Sequence, residues 1–258
     1  CPILCSEDEN DLSKKIWKMK NKILDKLEIK NISLVAISNW SKNEIKKSSL
    51  MKNFSTTVIP GSVDTNTFMP KERFSIRESL DIPQESFVIL FIAENINAKR
   101  KGLDSLKKAI SGINNKNLFL LTVGSINRLD ELNIPFLNMG YISNDKILSM
   151  IYNAADTIVI PSKQEAFGLI GIEAMACGKS VIAFNNSGMS DYVKHAKNGL
   201  LVSNGDILSL RDSIEKLSIN PEINLQFGIE SRNIALKKYS LSGVSTAYID
   251  LYNSLIKT

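Results

Sequence analysis

Three cysteines and one histidine are all that the 258 residues offer of the usual thiol and metal-binding side chains. His195 stands far from Cys1 and Cys5, the set is too small for a zinc site, and an odd count does not build a disulfide framework. Reduced, structural cysteines are expected, with Cys177 as a small buried residue after an Ala-Met-Ala helix. His195 has no Ser or Cys nucleophile with a recognisable elbow around it, so it reads as a surface or loop residue and not as a catalytic base. No Asp-x-Asp motif stands at a strand end, and a dedicated divalent-metal site is therefore not expected. No window approaches the ~18 uninterrupted apolar residues of a membrane span, and no signal peptide opens the chain. A cytoplasmic protein is the expectation. The chain starts on Cys1-Pro2 instead of Met, so an upstream portion is expected to precede it, and this start carries no information about export.

What is present is an ordinary globular composition, 43% hydrophobic and 23% charged, enough to bury one large domain plus a smaller piece. The net charge of +5 has one address. Residues 12 to 30 hold seven lysines against Asp25 and Glu28. On a helical wheel Lys14, Lys15, Lys18, Lys22 and Lys26 share one half and Leu12, Ile16, Trp17, Met19, Ile23, Leu24 and Leu27 the other, with Lys20 intruding. Two readings stay open: a surface helix packed on a core, or a basic amphipathic helix lying on an anionic membrane as a peripheral contact. No nucleic-acid partner is expected.

Further along, residues 31 to 38 alternate toward a strand, and 41 to 50 follow as a helix with Ser41 as N-cap and Glu44 in the capping-box position. Residues 56 to 59 read as another strand before Pro60. From Phe87 onward strand, loop and helix repeat. Strands are expected over 87–93, 118–123, 136–139, 157–160 and 181–184, and helices over 103–110, 145–153 and 244–256. This alternation argues a doubly wound parallel sheet of the Rossmann-like α/β class, whose ligands bind beyond the carboxyl ends of the strands.

The most informative stretch runs from Pro161 to Gly178. Its strand delivers a loop that carries Glu165, turns through Phe167-Gly168-Leu169 and enters a helix containing Glu173. Unpaired N–H groups at Phe167, Gly168 and Leu169 favour an anion such as a diphosphate at the helix start. The two carboxylates, eight positions apart, only accept hydrogen bonds and suit the hydroxyls of a sugar and a ribose. A basic loop, Lys99-Arg100-Lys101-Gly102, follows the first strand of the repeating region and could neutralise a diphosphate leaving group. The bland alternatives are solvated glutamates on an amphipathic helix and a solvated charge run.

The full string Glu165-x7-Glu173, with Phe167-Gly168-Leu169 and Glu173-Ala174-Met175-Ala176-x-Gly178, closely resembles the donor-site signature of the retaining family 4 glycosyltransferases. The resemblance covers roughly residues 30 to 258 and is strongest over 148 to 202. It takes in Leu148 to Asp156, Ser180 to Ala183, Ser187-Gly188 and Asn198 to Val202. Gly61-Ser62-Val63-Asp64 looks like the family's interdomain Asn-Gly-Val-Asp linker, with Gly61-Ser62 where Asn-Gly is usual. Residues 1 to 13 resemble the late part of the acceptor domain in bacterial surface-polysaccharide transferases.

The resemblance implies the C-terminal half of a two-domain GT-B architecture. Residues 1–60 would be a remnant of the acceptor domain with the linker, 61–240 the donor-binding domain and 241–258 a crossover helix. It implies transfer of a hexose from a UDP-, GDP- or ADP-sugar, with retention, to a saccharide or lipid-linked acceptor in surface polysaccharide or glycan synthesis. No cofactor is implied, and the location is the cytoplasm or the inner face of the membrane. Glu165 would bind hexose hydroxyls, Glu173 the ribose and Lys101 the diphosphate, with Glu165 and Lys101 as the catalytic pair. Asn95 stands where the family places an Arg, so Arg100 would substitute for that charge or the phosphate would be held less strongly. Tyr141 and Ile142 would meet the base. Retention is thought to proceed in this family without a protein nucleophile, the departing phosphate taking the acceptor's proton on the same face. The rival readings are a module that binds a nucleotide sugar without transferring it, and a sugar phosphorylase or epimerase on the same fold.

Overall fold

A computed structural model describes residue 8 and residues 10–115, 117–125 and 132–256. Cys1, Cys5 and most of the 1–13 segment lie outside the described residues. The chain divides into two compact units between Ile59 and Pro60.

The first unit holds helices α1 (Leu12–Leu24) and α2 (Asn39–Lys47) and the parallel strand pair β1 (Ser33–Ala36) and β2 (Ser55–Val58). The basic segment is helical, and Asp11 caps it by accepting from Lys14 N at 2.8 Å. The helix stops at Leu24, so Lys26 and Leu27 leave the wheel, and a separate 3-10 turn covers Ile29–Asn31. None of its residues is buried, and Leu12 is 67% exposed. Among the described residues the apolar half of α1 therefore stays largely uncovered. The expected capping box is also displaced. Ser38, not Ser41, caps α2, accepting from Ser41 N at 3.0 Å. Glu44 pairs instead with Lys47 at 2.7 Å. Ser38 wins because its extended backbone (φ −153°, ψ 162°) leaves the strand in the geometry an N-cap requires.

The second unit is a six-stranded, all-parallel sheet. Its strands are β3 (Phe87–Asn95), β4 (Leu118–Ser125), β5 (Phe136–Asn138), β6 (Thr157–Ile160), β7 (Ser180–Phe184) and β8 (Gly199–Val202), in the spatial order β5-β4-β3-β6-β7-β8. The continuous apolar runs follow from burial on both faces. Along β3, Val88, Leu90 and Ile92 join one core cluster, and Ile89, Phe91 and Ala93 join the other. The first cluster is covered by α5 (Asp145–Ala154), α6 (Leu169–Ala176) and part of α8 (Pro221–Lys238); the second by α4 (Leu103–Ser111) and α7 (Ile207–Ile219). A terminal helix, α9 (Leu241–Ile256), starts three residues before the expected position and buries Val244.

A short helix that hydropathy does not announce, α3 (Arg73–Ser79), places a charged side chain in the core. Arg77 is fully buried. Its guanidinium donates to Ala154 O at 2.8 Å, Gln84 O at 2.9 Å, Ser86 O at 3.0 Å and Asp156 Oδ2 at 2.7 Å. Asp156 Oδ2 also accepts from Val88 N at 2.7 Å, which ties the start of β3 to the end of α5. A charge without such partners would not survive there.

Candidate functional site

Strand order decides where a ligand can go. Numbered from β3, the sheet runs 3-2-1-4-5-6, and its winding reverses between β3 and β6, which pair directly through Ile89↔Thr157 and Leu90↔Ile158. In such sheets the loops leaving the two strands at the reversal diverge and open a crevice. Here those two loops are the basic loop after β3 and the Glu165 loop after β6.

Both loops are pinned where they meet. The basic loop forms a 3-10 turn, Lys99–Lys101, ending on Gly102 at φ +80°. Arg100 O accepts from Lys163 N at 2.8 Å. The result is an ion pair between residues 64 positions apart: Lys101 Nζ donates to Glu165 Oε2 at 2.6 Å. The two side chains are 16% and 19% exposed. Arg100 approaches the same oxygen only to 3.7 Å and is 63% exposed, so it is the looser partner. From the other side, Glu165 N donates to Ser187 Oγ at 3.1 Å and Glu165 O accepts from Gly188 N at 3.0 Å, so the turn after β7 fixes the backbone that carries the carboxylate.

Gly168 then turns through φ +82° and caps α6. That turn aims the first N–H groups of the helix, at Leu169 and Ile170, out of its N-terminus with the positive end of its dipole. Phe167 contributes backbone only. Its ring is buried in a T-shaped arrangement against Tyr192 at 5.4 Å and Tyr239 at 5.8 Å. Gly61 of the linker-like segment packs against this turn: a Cβ there would lie 2.6 Å from Leu169 Cδ2.

Glu173 lies on α6, partly buried, and its Oε2 accepts from Tyr152 Oη at 2.7 Å. Burial raises its carboxyl pKa above the ordinary value; the Tyr152 bond opposes that and the charge of Asp145 adds to it. Tyr152 is itself fully buried and keeps its proton.

The structure thus brings Lys101, Arg100, Glu165, Gly168 and Leu169 together where the loops after β3 and β6 meet. Asn95 stands exposed at the end of β3, with Oδ1 accepting from Asn97 N at 3.0 Å. Tyr141 is 69% exposed, and Ile142 packs against the core. Cys177 is buried beside Ser149, and burial pushes its thiol up to about 12. His195 is exposed, its Nδ1 engaged with the Leu201 backbone. Sequence reasoning did not find the tether from Ser187 to Glu165, the bond from Tyr152 to Glu173 or the place of Tyr192 beneath the turn. Each joins elements whose adjacency only the strand order reveals.

The family model of glycosyl transferases group 1 matches residues 72–234, a span that contains Lys101, Glu165 and Glu173. The capsular polysaccharide biosynthesis glycosyltransferase CapM of Staphylococcus aureus is 28% identical over 240 residues, covering 87% of this chain and 62% of that protein. The chain therefore spans less than two thirds of this relative's length. Sucrose-phosphate synthase from Thermosynechococcus elongatus superposes with a TM-score of 0.80 at 24% identity, over 98% of this chain and 64% of that one. Anabaena HepE, solved in complex with UDP-glucose, superposes with a TM-score of 0.75 at 20% identity, over 85% of this chain and 63% of its own. At these identities the structural likenesses establish the fold.

Proposed function

This chain belongs to the group 1 glycosyl transferases, and on that premise we propose that it binds a nucleotide-diphosphate sugar at the crevice between β3 and β6 and serves transfer of the hexose, with retention, to a saccharide or lipid-linked acceptor. The observation that carries the reading is the Lys101–Glu165 pair beside the N-terminus of α6. It places a cation, oriented amide donors and an acceptor-only carboxylate within one partly dry crevice. Lys101 and the amides of Leu169 and Ile170 would take the diphosphate, whose charge grows as the bond to the sugar breaks; such charge is where a pre-oriented site lowers the barrier most. Glu165 would accept from hexose hydroxyls. Glu173, with Oε2 already committed to Tyr152, would offer Oε1 to the ribose. Arg100 would supply the second charge that Asn95 cannot.

Under this reading the unit after Pro60 is the donor domain with its terminal helix, and the first unit belongs to the acceptor side. No divalent ion or other cofactor takes part, because Lys101 and the helix amides meet the diphosphate directly. The solved complex of HepE with UDP-glucose on the same fold supports a sugar-nucleotide ligand, and the likeness to CapM supports a role in surface polysaccharide or glycan synthesis. Among the described residues no helix is long and apolar enough to cross a membrane. A cytoplasmic protein whose α1 rests on the inner membrane face fits this picture.

Calorimetric titration with UDP, GDP and ADP, each beside its monophosphate and repeated in EDTA, tests the proposal. The preferred diphosphate should bind about tenfold or more tightly than its monophosphate, the worth of a charge-assisted contact, and EDTA should change nothing. Equal affinities would refute the diphosphate cradle.

A further inference from the structure

The ring beneath the Glu165 turn carries a hydroxyl that the fold does not use. Tyr192 is fully buried, and its Oη has no hydrogen-bond partner among the described residues. A buried hydroxyl left unpaired is costly, and phenylalanine would fill the same space without that cost. The chain also gives up helix propensity to accommodate it. A Cβ on Gly171 would lie 2.4 Å from Tyr192 Oη and from Cε2, so the third position of α6 must be glycine, a poor residue for a helix interior. Packing of the ring accounts for the glycine, since a Cβ there would meet the ring carbons Cε2 and Cζ as closely as the oxygen, but it does not account for the hydroxyl.

The position of the oxygen suggests what it serves. The point a Cβ on Gly168 would occupy is 3.2 Å from Tyr192 Oη and 3.1 Å from Glu165 Cγ. Oη and Glu165 Cγ thus border the same point on the turn, and the carboxylate one bond beyond Cγ is near enough for its charge to act on the hydroxyl. Burial, and after it the charge of Glu165, hold the Tyr192 pKa well above the ordinary value. The hydroxyl keeps its proton and can only be improved by an acceptor. In the structure that carboxylate is engaged by Lys101 at 2.6 Å, with Arg100 at 3.7 Å.

We propose that Tyr192 is a positioning residue for Glu165: its hydroxyl receives the carboxylate when Lys101 is drawn to the diphosphate of the donor. The inference rests on the reading of Lys101 given under the proposed function. Once an anion takes the Lys101 charge, Glu165 is left in a partly buried site where, among the described residues, the exposed Arg100 is its one remaining charged partner. Rotation about its last two side-chain bonds exchanges the lost ion pair for a short, charge-assisted O–H···O⁻ bond. One carboxylate oxygen is then fixed on Tyr192, and the other faces the hexose in a single orientation. The same glutamate thus balances Lys101 before the donor binds and acts as an oriented acceptor afterwards.

Two double-mutant cycles test this. Without ligand, Tyr192→Phe alone should leave the melting temperature unchanged or raise it. In a Lys101→Ala background, where Glu165 has already moved, it should lower the melting temperature by about 2–4 °C. With ligand, Tyr192→Phe should weaken UDP about tenfold and leave UMP unchanged, with GDP/GMP or ADP/AMP serving as the pair if the titrations favour another base. In a Glu165→Ala background the same substitution should have no effect on the diphosphate. Equal melting shifts in both backgrounds overturn the pairing. So does a loss of UDP affinity that persists without Glu165, which would mean that Tyr192 touches the ligand itself. If no diphosphate binds the unmodified protein while the melting cycle still shows coupling, the pairing of Tyr192 with Glu165 stands and the donor reading falls.

Discussion

A Cβ on Gly102 would sit 2.0 Å from the carbonyl oxygen of Pro161. The basic loop and the Glu165 loop approach each other backbone to backbone at this point, and Gly102 also turns through φ +80°. Closeness and conformation both exclude a side chain here, and the approach sets Lys101 within reach of Glu165.

Gly102→Ala should therefore damage both stability and site. Strain in the left-handed region costs of order 1–3 kcal/mol before the clash is counted. We expect a total loss of about 2–4 kcal/mol in urea denaturation, together with loss of diphosphate binding in whatever fraction stays folded. A variant as stable as the parent that still binds would show that the approach of the loops is not needed.

The buried Arg77–Asp156 pair makes the second prediction. Removing one member of a buried pair leaves the other charge uncompensated, at about 3–5 kcal/mol. Arg77→Leu should lower the urea midpoint by that equivalent without altering diphosphate affinity at temperatures where the variant is folded, since Arg77 ties α3 to the start of β3, at the opposite end of that strand from the crevice. Arg73→Ala, which removes an exposed partner of the same aspartate at 2.9 Å, should cost well under half as much.

How legible these features were in the sequence follows from burial. The central strands of the large sheet are covered on both faces, so Val88–Ala93, Leu118–Val123 and Val181–Phe184 stand out as apolar runs, and the strand expected over 157–160 matches β6 to the residue. Helix α3 did not stand out, because its seven residues bury a charged side chain, which no hydropathy pattern marks. Helix α8 buries Phe227 and Ala235 while Leu225 and Ile229 stay exposed, so its apolar residues trace no single stripe. In the site, residue types were readable and partners were not. The sequence points Lys101 to phosphate and Glu165 to sugar separately, and only the adjacency of β3 and β6 reveals that the two form an ion pair.

The raised carboxyl of Glu173 predicts a pH dependence of known sign. A group whose folded pKa lies above its unfolded value contributes stability below the unfolded pKa, and that stability is lost as the pH rises through the folded pKa. Glu173→Gln should remove this decline and be at least as stable as the parent at neutral pH. Binding should move the opposite way. A carboxylate that accepts from ribose hydroxyls must be ionised, so affinity for the preferred sugar nucleotide, whose diphosphate diester does not titrate in this range, should fall as the pH drops through the raised pKa. In Glu173→Gln the affinity should be weaker and flat with pH. A variant that keeps the parent's pH profile would remove Glu173 from donor binding.

The last prediction separates the two glutamates. Glu173→Ala takes away an acceptor assigned to the ribose, which the bare nucleotide and the sugar nucleotide share, so both should lose about 1–3 kcal/mol of binding. Because Tyr152 Oη would be left in the core without its acceptor, the comparison is made in a Tyr152→Phe background, with melts confirming the fold. Glu165→Ala should behave differently. In the structure this carboxylate holds Lys101 at 2.6 Å, and a diphosphate must break that pair to claim the lysine. Removing Glu165 should therefore leave nucleoside diphosphate affinity unchanged or increase it, while sugar-nucleotide affinity, or kcat where turnover is measured, falls through the lost contact to the hexose. If Glu165→Ala in a folded protein abolishes binding of the bare diphosphate, Glu165 contacts the nucleotide and not the sugar, and the proposed division between the two carboxylates is wrong.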